Sequence, residues 1–194
     1  MKTLTLSQND LRKLMAAIPA GPFAGRDSAM LTLVLHTGLR VAELSGLDVH
    51  NVSHDGQPRQ TLELPAELAK GSKPRLIPLN QTARAAIFGL LNFNRSRGFS
   101  VAPEAPLLQN RFHRRLSIRD IQRLVQSLRE AAGLDVKATP HTFRHSYASN
   151  LQKHTNLRVV QACLGHSRLN SSQVYLHPTR EDLAQAADAM AAAD

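Results

Sequence analysis

The sequence contains little cysteine, few aromatic residues and no long apolar run. One cysteine cannot form an internal disulfide, and no stretch resembles an export signal or is apolar over the thickness of a bilayer. No Trp, six Phe and two Tyr are too few for an extended base-stacking platform, which argues against single-stranded nucleic acid as the main ligand. We therefore expect a cytoplasmic protein of a reducing compartment with no membrane partner.

Acidic side chains are also scarce relative to basic ones. The chain has 24 Lys and Arg against 15 Asp and Glu, which gives a formal charge of +9 on 194 residues. This charge predicts a polyanionic partner, and the shortage of aromatic residues favours the backbone of a duplex. The hydrophobic content of 42% is too high for a disordered chain, and the length suits one domain over residues 1–194.

Apolar residues recur with helical periodicity along most of the chain. Ser7, Ser117 and Thr139 precede such series as N-caps, and glycines follow several of them as C-caps. Alternating or β-branched segments occur near 49–52, 61–64 and 76–79, separated by turn residues. We predict a mainly α fold with one small antiparallel three-stranded β-sheet, an α+β class.

A set of basic, imidazole and phenol side chains lies at the ends of the predicted elements. Taken singly, each is more often a solvated surface residue or a helix cap. Taken together, they match the requirements of one reaction. The set comprises Arg40, Lys70, His141, Arg144, His166 and Tyr175.

That reaction is phosphodiester transfer to a protein nucleophile. It needs an attacking oxygen, cations opposite the non-bridging oxygens and an acid for the leaving 5′-oxygen. Arginine forks bind phosphate oxygens bidentately and stay charged, whereas a lysine can protonate a leaving alkoxide. Histidines can bind a phosphate oxygen or take the phenol proton, and tyrosine supplies the nucleophile. The set requires no metal or other cofactor.

Short motifs surround these residues in a fixed order. They are TGLRVAEL at 37–44, KGSKPR at 70–75, HTFRH at 141–145 and LGHS at 164–167, with Tyr175 nine positions after His166. In this combination and order they resemble the catalytic domain of the tyrosine recombinases, or phage integrases, over nearly the whole chain.

The resemblance implies a role for each cationic residue of the set. Arg40 and Arg144 correspond to the arginines that activate the scissile phosphate. Lys70 corresponds to the general acid carried by a β-hairpin. Glu43, three residues after Arg40 on the same helix face, corresponds to the family's acidic residue that supports the fold of the active site.

The resemblance also identifies the accessory histidines and the nucleophile. His141 and His166 correspond to the histidines, and Tyr175 to the residue that forms a 3′-phosphotyrosyl link. Tyr147 also lies near the HTFRH motif, but the family has an aromatic residue there for packing, so we favour Tyr175.

Other assignments compete for several of these positions. Lys73, in the same hairpin as Lys70, is an alternative general acid, although we prefer Lys70. His141 and His145 stand four apart as in a zinc-binding helix, but no acidic residue lies between them and no third ligand has the usual spacing. We interpret His145 as a supporting or core residue, and His177, which precedes a proline, as part of a turn.

Further basic residues are candidates for contact with the DNA backbone. An ordinary solvated face is the alternative, but the excess of positive charge favours duplex DNA. The candidates are Lys73, Arg75, Arg111, Arg114, Arg115, Arg119 and Arg123. Cys163 lies on an apolar helix face and is interpreted as a core residue.

By this resemblance the protein is a metal-independent enzyme of DNA recombination. We expect it to cleave and rejoin duplex DNA during integration, excision or inversion, as phage and mobile-element recombinases do, at the nucleoid of a bacterial cell. A catalytically silent DNA-binding regulator of the same fold is an alternative function. Activity like that of a type IB topoisomerase, which shares this chemistry, is another.

The resemblance further implies partners and a domain arrangement. We expect a tetramer on DNA at synapsis and a monomer in free solution. A C-terminal helix over about 179–191 is a candidate for exchange between protomers, and packing within its own chain is the alternative. We expect this chain to lack the N-terminal core-binding domain that most of the family carry, either as an excised fragment or as a member of a minimal class resembling the fimbrial-switch invertases.

Overall fold

Nine helices and four short strands make up the parts of the chain that the computed structural model describes, residues 5–69, 74–134, 139–165 and 180–192. The helices are α1 (Gln8–Ala16), α2 (Ala24–Thr37), α3 (Val41–Gly46), α4 (Val49–Val52), α5 (Gln81–Ser96), α6 (Ile118–Ala131), α7 (Pro140–His154), α8 (Leu157–Leu164) and α9 (Arg180–Ala191). The strands are β1 (Ser53–His54), β2 (Gln57–Pro58), β3 (Thr61–Leu64) and β4 (Arg75–Pro78). The predicted class, mainly helical with little antiparallel sheet, is confirmed.

The β structure consists of two antiparallel pairs. β1 pairs with β2, and β3 pairs with β4 in a register that places Thr61 opposite Pro78 and Leu64 opposite Arg75. In the described ranges these pairs form separate two-stranded sheets, where the sequence had predicted one sheet of three strands. The predicted strands at 61–64 and 76–79 correspond to β3 and β4.

The third predicted strand, at 49–52, is instead the helical turn α4. The backbone N–H of Asp48 donates to Oδ1 of Asn51 at 2.8 Å, which caps this turn. Val49 and Val52 are β-branched and buried, as residues of a strand would be. A segment of four residues is too short for its periodicity to distinguish a helical turn from a strand, which explains why this part of the prediction was wrong.

The main core forms around α2, which packs against α5 and α7. Leu33 of α2 and Leu90 of α5 are both 0% exposed, and Leu62 and Ile77 extend the same core into β3 and β4. The central position of α2 matches its nearly continuous apolar sequence. None of the helices in the described ranges combines the length and hydropathy needed to cross a bilayer.

A second, smaller core joins α7, α8 and α9. Tyr147, Leu151 and Cys163 are each at most 1% exposed within it, which confirms that Cys163 is a core residue. Met190 of α9 is equally buried, and Asn80 donates from Nδ2 to the carbonyl of Ala187 at 3.1 Å. In this structure α9 therefore packs on its own chain.

The turn after α2 yields a prediction about stability. Gly38 has a φ of +61°, and a Cβ at this position would overlap the ring of Tyr147. We expect Gly38→Ala to lower the free energy of unfolding by about 2–5 kcal/mol, because backbone strain and overpacking add. Urea denaturation measures the loss.

Gly98 provides the matched control. It has a φ of +68° but nothing within 4 Å of the added Cβ, so Gly98→Ala isolates the backbone strain. We expect that variant to lose about 1–2 kcal/mol. Equal losses in the two variants would show that contact with Tyr147 does not matter.

Candidate active site

The site begins at the turn between α2 and α3. Gly38 ends α2 in the left-handed conformation, and the chain reverses there. Arg40 then occupies the N-cap of α3, with its side chain 37% exposed. The turn thus leaves a guanidinium group partly open to solvent at the surface of the core.

Glu43 is the buried acceptor for this arginine. Its carboxylate accepts from the backbone N–H and from Nη1 of Arg40, each at 2.7 Å. Arg75 of β4 donates to the same carboxylate through Nη1 at 2.9 Å and Nη2 at 2.7 Å. Burial acts to raise the pKa of the Glu43 carboxyl, but the bonds from Arg75 and then from Arg40 outweigh it and lower the pKa.

Arg144 enters the site from the first turns of α7. The helix begins with Thr139 as its N-cap and Pro140 in its first turn. Arg144 is 5% exposed and donates from Nη1 to the carbonyl of Gly38 at 2.6 Å and from Nη2 to that of Leu164. It thereby joins the C-terminal ends of α2 and α8.

Arg144 is buried within reach of the positive charge of Arg40. Burial, and then the nearby charge of Arg40, lower the pKa of Arg144 to about 10. The group still carries its charge at neutral pH. Two guanidinium groups from distant parts of the chain therefore stand near one another, an arrangement that favours an anion between or above them.

His141 lies beside the two arginines on an exposed part of α7. Its ring meets that of His145 edge to face, with ring centroids 4.6 Å apart. Burial, followed by the charges of His145, Arg144 and Arg40, lowers the pKa of His141, so its neutral form dominates at neutral pH. In the described ranges no third His, Cys, Asp or Glu joins this pair as a metal-binding group.

Several predicted site residues lie outside the described residues. Lys70 and Lys73 fall between β3 and β4, and His166, Tyr175 and His177 fall between α8 and α9. Their assigned roles remain predictions. The structure brings Arg40, Glu43, His141 and Arg144 together, and it shows where the two segments that carry the other residues begin and end.

Tyr147 has a packing role. It is 1% exposed, its ring lies against Gly38, and burial, followed by Cys163, raises its pKa well above the ordinary value. A phenol so enclosed cannot reach a phosphate in this conformation. This agrees with the preference for Tyr175 as the nucleophile.

The position of Arg75 contradicts the role that the sequence predicted for it. It was predicted to contact DNA, yet it is 8% exposed and its guanidinium is bonded to Glu43 and to the carbonyl of Cys163, the latter at 3.1 Å. The alternation of side chains along a strand could have indicated its burial. Arg75 and Ile77 are two positions apart on one face of β4, and both are buried.

Arg115 also makes bonds inside the protein that the sequence did not predict. Its Nη1 donates to the carbonyls of Ser45 and Leu47, each at 3.0 Å, and its Nη2 pairs with Asp48. This guanidinium fixes the end of α3, and its side chain is still 37% exposed, so contact with DNA through its remaining N–H donors stays a prediction. The remaining arginine candidates are exposed, and DNA contact by them remains a prediction: Arg111, Arg114, Arg119 and Arg123.

Comparison with known proteins gives a consistent result. Residues 5–182 match the Phage integrase family. The chain is 37% identical over 190 residues to tyrosine recombinase XerD of Corynebacterium glutamicum, a match that covers 92% of this chain and 58% of the relative. The chain thus spans little more than half the length of that relative.

Two solved structures resemble the fold closely. XerA recombinase superimposes with a TM-score of 0.71 at 25% identity, over 94% of this chain and 63% of that one. XerH site-specific recombinase, solved in a pre-cleavage complex with its difH substrate, gives a TM-score of 0.67 at 25% identity, over 94% of this chain and 52% of that one.

The environment of Glu43 predicts a pH-dependent stability. In Glu43→Gln, Arg75 stays buried without a counter-charge, so we expect a loss of about 3–5 kcal/mol at pH 7. The pKa of Glu43 in the folded protein lies below the ordinary value of 4.5. The stabilisation that its charge provides is therefore complete above pH 4.5 and is lost as pH falls through the pKa of the folded state. The difference between wild type and variant should therefore narrow below pH 4.5.

Urea denaturation at a series of pH values measures this difference. Glu63→Gln, a change at an exposed position of β3, controls for the added net positive charge. A deficit in Glu43→Gln that stays constant down to acid unfolding would contradict a charged role for Glu43.

Proposed function

Because the chain belongs to the phage integrase family, we propose that it is the catalytic part of a site-specific tyrosine recombinase. In this proposal it cleaves and rejoins duplex DNA through a 3′-phosphotyrosyl intermediate and needs no metal. We propose that it acts in the integration, excision or inversion of DNA. This is consistent with relatives such as XerD, which is a named tyrosine recombinase.

The observation that carries the proposal is the pair of arginines at the end of α2. Arg144 reaches the carbonyl of Gly38 from 106 positions away, beside the turn that holds Arg40. Two permanent cations near one another suit the two non-bridging oxygens of a phosphodiester, whose charge grows in the transition state. His141, neutral at neutral pH, can donate a hydrogen bond to the same group.

The proposed reaction divides into two exchanges at phosphorus. The phenol oxygen of Tyr175 attacks, a histidine accepts the phenol proton, and the bond from phosphorus to the 5′-oxygen breaks. Lys70 donates a proton to that oxygen, which leaves as a hydroxyl. Rejoining reverses the step, with a 5′-hydroxyl as the attacking group, so the bond energy is conserved.

Double-stranded DNA is the proposed partner. The XerH structure contains its DNA substrate, and the charge of +9 on this chain fits a duplex backbone. Arg119 and Arg123 lie on the exposed side of α6, away from its buried Ile121 and Val125. We assign phosphate contact to this face.

The proposal extends to assembly and location. We propose a tetramer on DNA at synapsis, a monomer in free solution and a location at the bacterial nucleoid in the cytoplasm. Exchange of α9 between protomers would replace the packing of Leu183 and Met190 on their own chain with the same contacts on a neighbour. We also propose that residues 1–194 act as one catalytic domain.

Replacement of Tyr175 tests the reaction. We expect Tyr175→Phe to lose covalent capture of nicked duplexes taken from the DNA that flanks the gene, while duplex binding stays intact, because the attacking oxygen alone is removed. Denaturing gel electrophoresis detects the protein–DNA adduct, and a gel shift measures binding.

Tyr147→Phe is the matched control, since the chain has two tyrosines. The hydroxyl of Tyr147 is buried beside Cys163, whose thiol is only a weak hydrogen-bonding group, so its removal should cost little. A covalent adduct formed by Tyr175→Phe would refute Tyr175 as the nucleophile. An adduct lost only in Tyr147→Phe would refute it as well. Relaxation of supercoiled DNA without strand exchange would indicate a topoisomerase.

The exposed face of α6 yields a second test. We expect Arg119→Ala with Arg123→Ala to weaken duplex binding and to reduce the slope of log affinity against log salt by up to about 2. Lysine at both positions keeps the charge and should keep the slope. An alanine variant with an unchanged slope would show that these arginines do not neutralise phosphates.

A further inference from the structure

Arg75 occupies a central position that the proposed reaction does not itself explain. All three nitrogens of its guanidinium donate hydrogen bonds, two to Glu43 at 2.9 and 2.7 Å and one to the carbonyl of Cys163 at 3.1 Å. Its side chain is 6% exposed. Three of its five N–H donors are thus used inside the protein, and its side chain is far less exposed than that of Arg40, which is 37% exposed.

The partners of Arg75 connect three parts of the active site. Glu43 holds Arg40, and β4, which carries Arg75, follows directly on the segment that contains Lys70. Cys163 lies in the last turn of α8, where Gly165 has a φ of +64° and its missing Cβ would lie 2.8 Å from Cδ of Arg75. The segment that contains His166 starts at the next residue.

Arg40, Glu43 and Arg75 form a cluster of two positive charges and one negative charge. Arg40 and Glu43 alone form a neutral pair, whereas the second arginine restores one net positive charge. Glu43 is 1% exposed and Arg75 6%, but Arg40 is 37% exposed. The positive charge is therefore available to a ligand through Arg40, while the compensating ion pair stays inside.

We propose that Arg75 is a positioning residue that neutralises Glu43, so that Arg40 keeps its charge for the scissile phosphate, and that anchors the end of α8 beside it. This inference rests on the proposed function in assigning a phosphate to Arg40. It assigns to Arg75 an effect on phosphate binding and on the rate of cleavage, with no contact to DNA.

The test compares three variants. Arg75→Met removes the balancing charge and leaves Arg40 as the sole partner of Glu43. Arg75→Met combined with Glu43→Gln removes both buried charges, which often costs little stability, and leaves Arg40 unpaired and positive. Arg26→Met is the matched control, because Arg26 is also 8% exposed and bonded to a carboxylate, Asp27, but lies in the first turn of α2.

The first readout needs no enzymatic activity. Inorganic sulfate is titrated into each protein, and its binding is followed through the NMR signal of the Arg40 side-chain Nε–H. We expect Arg75→Met to weaken sulfate binding about tenfold or more, consistent with loss of one charge-assisted interaction. The double variant should recover most of this loss, and Arg26→Met should bind sulfate as the wild type does.

The second readout is the rate of covalent capture. The rate should fall in Arg75→Met and should recover in the double variant, which also lacks the Arg75 side chain but leaves Arg40 unpaired. A rate that stays low in the double variant would indicate direct contact of Arg75 with the phosphate and would overturn the inference.

The remaining outcomes are also decisive. Sulfate binding that is unchanged in Arg75→Met, or weakened equally in Arg26→Met, overturns the inference, as does failure of Glu43→Gln to restore binding. A wild-type protein that binds sulfate at Arg40 but never forms a covalent adduct refutes the proposed recombinase activity and leaves the charge-balancing role of Arg75 supported.

Discussion

The buried carboxylate of Glu43 is the constraint on which the site depends. A charge with 1% exposure is stable only when it is paired and hydrogen-bonded. Four donors from two arginines meet this requirement, one of them on the N-cap of α3 and the other on β4. The ion pairs therefore fix α3 against the β3–β4 hairpin as well as orienting Arg40.

Two helix ends meet around this cluster, and both end in a left-handed glycine. Arg144 bonds the last carbonyls at both ends, those of Gly38 and Leu164. The ring of Tyr147 lies against Gly38, and the stem of Arg75 lies against Gly165. Any side chain at either glycine would displace a residue that supports the arginines, so backbone conformation and site geometry are coupled.

Local signals in the sequence placed several residues of the candidate site at the ends of helices, whereas they did not predict all of the architecture. His141, Arg144 and His145 follow a Thr-Pro start that marks α7, and Arg40 follows a Thr-Gly turn, so local signals placed them near element ends. The segment 49–52 was predicted wrongly because four residues are too few to show a distinguishing period.

Arg75 and Arg115 show that a sequence does not reveal the long-range partners of a charged residue. An arginine in a basic protein reads as a surface residue, and nothing local reveals a carboxylate or carbonyl partner far along the chain. Arg75 meets Glu43 across 32 positions, and Arg115 meets Ser45 across 70. Burial of such a group depends on its partner being in place, which is a property of the folded chain.

The sequence by itself determined the residue types, their order and the net charge, because each motif is a short run whose capping and turn chemistry acts locally. Those features were enough to indicate phosphodiester chemistry on a mainly helical domain. Only the tertiary structure decided which arginines face solvent and which form hydrogen bonds and ion pairs inside the protein. That division follows from long-range pairing of buried charges, whose desolvation must be offset by partners that the fold alone brings within hydrogen-bond distance.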